Sequence, residues 1–205
     1  MGDELLPKLN ATRKTGCEPF HDDVEQLPFN LLNFWQWSAS DLASNALRGR
    51  VAEFLVAQAL GVAHGVRSEW DAYDLLSNSG ATIEVKSSAY LQTWTQNAHS
   101  TVAFHIAPTR AWTSATNAYE TDARRQADIY VFALLAHRQK DSLDPMDVSQ
   151  WRFFVLPAKI LNVNVVLQKT IRLERLRALK PIECAYKQLG NVIDAVSREL
   201  KSSEG

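Results

Sequence analysis

The strongest constraint on how this chain folds lies in the run Asp74-Leu75-Leu76-Ser77-Asn78-Ser79-Gly80-Ala81-Thr82-Ile83-Glu84-Val85-Lys86. Apolar and polar residues alternate on either side of Asn78-Ser79-Gly80, the pattern of two short strands joined by a tight turn. With a three-residue turn, Ser77 pairs with Ala81 and Asp74 falls opposite Glu84. Successive strand residues point to opposite faces, so Asp74, Glu84 and Lys86 share one face while Leu75, Ile83 and Val85 turn into a core. Asp71, at an odd offset from Asp74, is sent to the other side. Opposed side chains stand roughly 4.5–5.5 Å apart at Cβ, and like charges there repel. Two acids held so close need a cation between them. That makes the run a candidate metal site with a lysine at its edge. The competing account is a solvated sheet face, with Lys86 neutralising the two acids and Glu53 pairing with Arg50 on a helix surface.

The rest of the chain sets the frame for this hairpin. A length of 205 residues with 46% hydrophobic content suits one domain with a sizeable core. With 22 basic and 23 acidic residues the net charge is −1, which argues against an all-over basic coat and leaves room for a local basic face. Cys17 and Cys184 are too few and too distant for a disulfide framework or a zinc cluster, and read as reduced thiols. The first residues lack the basic-then-apolar pattern of a signal peptide. The longest apolar run, Ile129 to Ala136, suits a buried strand and is too short to span a bilayer. A soluble, cytoplasmic protein without a membrane partner is the expectation.

Residues 1–30, with Pro7, Pro19 and Pro28, read as an N-terminal arm, and residues 31–205 as a single domain. The Leu, Phe and Trp of Phe29 to Trp37 call for packing on the core or on a partner. Ser40-Asp41 marks a helix start, with Leu42, Ala46, Leu47, Val51, Phe54 and Leu55 as its apolar stripe, Glu53 in its middle and Gly61 at its end. Strands are predicted over Val66 to Trp70, Thr101 to Ile106, Asp128 to Leu135, Trp151 to Leu156 and Lys169 to Leu173. Ser114 to Gln126 is a surface helix or long loop, Asp141 to Asp147 a solvated connection, and Pro157 the start of a turn or short helix. Ile182, Tyr186, Leu189, Ile193, Val196 and Leu200 recur as on an amphipathic helix.

Glu53 on a helix, Asp74 at a strand end and Glu84-Val85-Lys86 on the next strand resemble the PD-(D/E)XK nuclease superfamily. The likeness covers residues 53 to 88, and Tyr73 stands where that family's name places a proline. The resemblance implies an α/β, restriction-endonuclease-like fold, a central mixed β-sheet flanked by helices. It implies a metal-dependent endonuclease of restriction or repair type that hydrolyses DNA phosphodiester bonds. Asp74 and Glu84 would hold Mg²⁺ or Mn²⁺, with the Val85 carbonyl as a further ligand; Glu53 would bind a second ion or orient a water. Lys86 would position or deprotonate that water, or stabilise developing negative charge. Arg110, Arg124 and Arg125 are candidates for DNA phosphate contacts, with a solvated surface as the equal alternative. A homodimer suits an enzyme that cuts two strands. Two further readings stand beside the first: a Holliday-junction-resolvase-like enzyme, and a catalytically silent nuclease-fold module that binds nucleic acid or a protein.

Overall fold

The computed structural model describes residues 9–69, 71–113 and 118–202. Its first elements are a hairpin, β1 (Pro19–Asp22) and β2 (Glu25–Asn30), followed by helix α1 (Leu31–Ala39). Part of the expected N-terminal arm is therefore a hairpin. Its prolines are tolerated because a two-stranded ribbon has unpaired edges, where a missing N–H costs no ladder bond. Asn30 caps α1 reciprocally, accepting from the Asn33 N–H while its own N–H donates to the Asn33 side chain.

Helix α2 (Asn45–Ala59) begins after Ser44 and not after Ser40, because Asp41 makes a turn of its own by accepting from the Ser44 N–H. The buried stripe differs accordingly. Arg48, Ala52, Leu55 and Val56 face inward, while Phe54 is 57% exposed. Two residues past Ala52, Phe54 lies about 200° round the helix from that inward row. Gly61, at φ +67°, closes the helix as expected. Val66 to Glu69 form no strand, and Trp70 lies outside the described residues.

The remaining elements are β3 (Leu75–Leu76), β4 (Thr82–Ala89), β5 (Ala103–His105), β6 (Trp112–Thr113), β7 (Ala118–Tyr119), β8 (Ile129–Leu135), β9 (Trp151–Pro157), α3 (Ala158–Asn164), β10 (Thr170–Arg172), α4 (Leu173–Ala178), β11 (Ile182–Cys184) and α5 (Tyr186–Ser202). Ile182, assigned by spacing to the last helix, belongs instead to the short strand β11. The Ser114 to Gln126 stretch is loop with one strand of the small β6–β7 ribbon, and residues 114–117 of it are not described.

Five strands form a mixed sheet in the order β11-β9-β8-β4-β3. β4 and β8 run parallel, and the other neighbours are antiparallel. The fold is α/β with a mixed central sheet and helices, as the sequence led one to expect at that level. Every residue of β8 is buried, which is why its sequence is a continuous apolar run rather than an alternation. Ile83, Val85, Val131, Phe153 and Val155 pack on one face against Ala52 and Val56 of α2 and Leu189, Ile193 and Val196 of α5. Tyr130, Phe132, Phe154 and Leu156 face the other way, onto Phe104, Ile106, Leu161, Ile171 and Leu176. Each large side chain fully buried here contributes about 1.5–3 kcal/mol.

That second face is closed by the β5–β10 pair and the long connection from β4 to β8. Arg125 pins it. Buried, it donates to the Ile106 carbonyl (3.0 Å), the Val165 carbonyl (2.9 Å) and Asn162 Oδ1 (3.0 Å). No helix among the described residues is long and apolar enough to cross a membrane.

Candidate active site

The turn predicted from Asn78-Ser79-Gly80 forms. Leu75 pairs with Ile83 and Leu76 with Thr82. The Ser77 N–H donates to the Ala81 carbonyl at 2.9 Å, and Ser77 Oγ accepts from the Ala81 N–H at 2.9 Å. Gly80 sits at φ +84°, a left-handed conformation that costs glycine nothing. Helix α5 holds the loop: Ser197 and Ser79 share a hydrogen bond of 2.7 Å, and Lys201 Nζ donates to the Ser79 carbonyl.

Because β3 is two residues long, the edge of β4 beyond Ile83 is left open. Asp74 fills it. Carried one step further, the ladder register sets Asp74 across from Glu84, and the Asp74 N–H still reaches the Ile83 carbonyl at 3.0 Å. Its carboxylate accepts from the Val85 N–H at 2.7 Å, the edge amide that a longer β3 would have paired. Partial burial, first, and then repulsion from Glu84 push the Asp74 carboxyl up from 3.8 to about 6, with Glu53 adding to the rise and the Val85 hydrogen bond opposing it.

The lysine and the helix acid are both engaged. Lys86 Nζ donates to Glu84 Oε1, and Glu53 accepts from Arg67 Nε and, at 3.2 Å, from Arg67 Nη2. The ion-pair account expected Arg50 as the partner of Glu53, but Arg50 reaches Glu69 at 3.4 Å instead. A loop residue, Arg67, has taken its place and is bidentate. Arg67 is held above its usual range by that hydrogen bond. Glu53, Arg67, Asp74, Glu84 and Lys86 thus form one electrostatic cluster at the sheet edge, three carboxylates against two cations.

Among the described residues no three His, Cys, Asp or Glu side chains are gathered closely enough to cage an ion. Asp74 and Glu84 nevertheless suit a hard divalent cation that keeps most of its waters and takes one or two carboxylates. Their mutual repulsion in a half-buried setting is the charge excess such an ion relieves. Lys86 engages Glu84 through Oε1 alone, which leaves Oε2 for an ion.

Tyr130 is a neighbour that sequence alone did not single out. It is the β8 partner of Glu84 in the parallel register and only 3% exposed, and burial, then Glu84, raise its hydroxyl above the usual range. Asp71 is exposed. Of the three arginines proposed for phosphate contacts, Arg125 is turned inward as described. Arg124 is exposed and paired with Glu120 at 3.1 Å, and Arg110 is exposed beside the Thr109–Arg124 bridge.

Fold and site together define an α/β protein with an acid-rich cluster and a lysine at the open edge of a mixed sheet. Residues 30–175 match the family model of bacteriophage T4 endonuclease IV, and the chain belongs to that family, a family of nucleases. No individual curated protein matches the chain.

Proposed function

We propose that this protein is a metal-dependent endonuclease that hydrolyses phosphodiester bonds in DNA, with Asp74 and Glu84 as metal ligands, Lys86 beside the attacking water and Glu53 as the accessory acid. The observation that carries the reading is the pairing of Asp74 with Glu84 across the open edge of β4, close enough that Glu84 helps hold the Asp74 carboxyl up at about 6. A structural ion-pair ladder has no use for two acids facing each other. Membership of an endonuclease family supports the same chemistry. When bound, Mg²⁺ or Mn²⁺ would polarise the scissile phosphate and bring the pKa of a bound water towards neutrality.

The chain's own residues do the rest. Asp74 is fixed by the Val85 amide, so its carboxylate is oriented before any ligand arrives. Lys86, held through Glu84 Oε1, has its ammonium at the same edge, where it can hold the nucleophilic water or offset charge on the phosphate. Arg67 holds both oxygens of Glu53 through its Nε and Nη2 donors.

Cleavage of single-stranded, duplex and branched DNA with Mg²⁺ or Mn²⁺ tests the reading. Lys86→Ala and Asp74→Ala should each lower the rate by at least ~100-fold, the lower end of what general acid–base or electrostatic catalysis contributes. Native protein that cuts none of these substrates, or variants that cut as fast as native, would sink it. Retained DNA binding in non-cutting variants separates catalysis from recognition, and the salt slope of binding counts the phosphates engaged.

A further inference from the structure

The helix acid of the cluster is set apart from the other two. No three acids among the described residues stand close enough to cage one ion, so Glu53 does not complete a ligand set with Asp74 and Glu84. Both of its oxygens are already taken, by Arg67 Nε and, at 3.2 Å, by Arg67 Nη2. The pair joins the middle of α2 to the loop that leads to β3, and the acid is its shielded member. The Glu53 side chain is 15% exposed and that of Arg67 41%. Arg67 also feels the charges of Asp74 and Glu69. A guanidinium holds five N–H donors in one plane, and Glu53 occupies a single edge of it. Nη1 lies outside that edge, 3.9 Å from Glu69 Oε1 and so beyond hydrogen-bond reach of it.

We propose that Arg67 is a catalytic residue that binds the scissile phosphate, and that the site works with one metal ion, this guanidinium serving in place of a second. The proposal rests on Asp74 and Glu84 holding that one ion. Charge favours a single ion. Glu53, Asp74 and Glu84 stand with Arg67 and Lys86, while Glu69 and Arg50 pair at the rim at 3.4 Å, which leaves one negative charge over. With one divalent ion bound, the cluster carries one positive charge, and a phosphodiester group cancels it. A second ion would leave two positive charges uncancelled and would first have to strip a bidentate guanidinium from Glu53. The free edge of Arg67 suits two non-bridging phosphate oxygens, which accept parallel N–H bonds as a carboxylate does. Arg67 takes no part in bond making or proton transfer, since a guanidinium keeps its charge throughout. Lysine could not replace it, because an ammonium is a point charge without two separate edges. Glu53 is then a positioning residue that fixes the plane of the guanidinium before DNA arrives.

Mn²⁺ titrated into the full chain without DNA counts the ions, by calorimetry or by loss of the free-ion electron-resonance signal. One Mn²⁺ per chain is expected, in the native protein and in Arg67→Lys alike. Cleavage is then followed on the same proteins. Arg67→Lys leaves Glu53 a cationic partner, yet it should cut at least ~10-fold more slowly for want of one charge-assisted hydrogen bond. Arg67→Ala should lose at least ~100-fold in kcat, the share of one preorganised donor to the transition state. Glu53→Gln, which keeps Arg67, should lose less than Arg67→Ala. Two ions on the native chain overturn the proposal and leave the cleavage reading standing. So does either Arg67 variant cutting at the native rate, or a loss in Glu53→Gln equal to that in Arg67→Ala. A native chain that binds no Mn²⁺ defeats the cleavage reading itself, and this proposal with it.

Discussion

Replacing Asp74 by Asn should stabilise the metal-free protein at neutral pH while abolishing cleavage. A carboxyl moved from 3.8 in the unfolded chain to about 6 in the fold costs the fold about 3 kcal/mol once ionised, chiefly through burial and then through Glu84. The Asn side chain is uncharged and of the same shape. Its Oδ1 can still accept from the Val85 N–H, and the charge-assisted part of that bond is already inside the net shift. The gain is therefore about 3 kcal/mol, or roughly 6–12 °C in Tm for a domain of this length. Its pH dependence follows from the sign of the shift. Because the folded state holds its proton more tightly, native stability falls as pH rises from about 4 to about 6 and is flat above. The advantage of Asp74→Asn is therefore absent near pH 4, grows through that window and is complete at pH 7.

Thermal melts of both proteins between pH 4 and pH 8, in chelator, read this directly. Adding Mg²⁺ should then raise the Tm of the native chain and not of Asp74→Asn, by about 2.7 kcal/mol at one hundred times the Kd. An Asn variant less stable than native at pH 7, or a gain of equal size at pH 4, would refute the reasoning. The first result would mean that Asp74 is held by a favourable ion pair rather than strained by a neighbouring acid, and the second that the gain does not come from its charge.

Two further substitutions test the frame that carries the site. Gly190→Ala should destabilise by about 3 kcal/mol in urea unfolding, because a Cβ there runs into the Ala59 carbonyl where α5 crosses α2, and backbone cannot move aside cheaply. Arg125→Met should cost about 3 kcal/mol by stranding the buried Ile106 and Val165 carbonyls, and should leave the salt slope of DNA binding unaltered, since its donors are spent inside the fold.

What could be read from the chain depended on how local its cause was. The hairpin register followed from turn chemistry and period-two alternation within a few residues, and β8 and β9 from apolar runs that only a twice-covered strand tolerates. The β1–β2 hairpin escaped notice because Pro19 and Pro28 break the alternation, a break that an isolated ribbon can afford. The start of α2 lies beyond the expected one because Ser40, Asp41 and Ser44 all have capping side chains, and the local turn that Asp41 makes with the Ser44 N–H chooses between them.

The partners of the acids were less legible still. Glu53 had an arginine three residues back on its own helix, yet the one that binds it is Arg67, beyond the helix end. Tyr130 reaches Glu84 only because β8 lies parallel to β4 after a crossover of some forty residues, a register no local pattern encodes. This division has a chemical consequence. Parity alone groups Asp74, Glu84 and Lys86, a set with one surplus negative charge. Long-range packing adds Glu53 together with its own counter-charge Arg67, and Glu53 still adds to the rise of the Asp74 carboxyl. The helix acid therefore meets the edge pair with both of its oxygens already held by arginine donors.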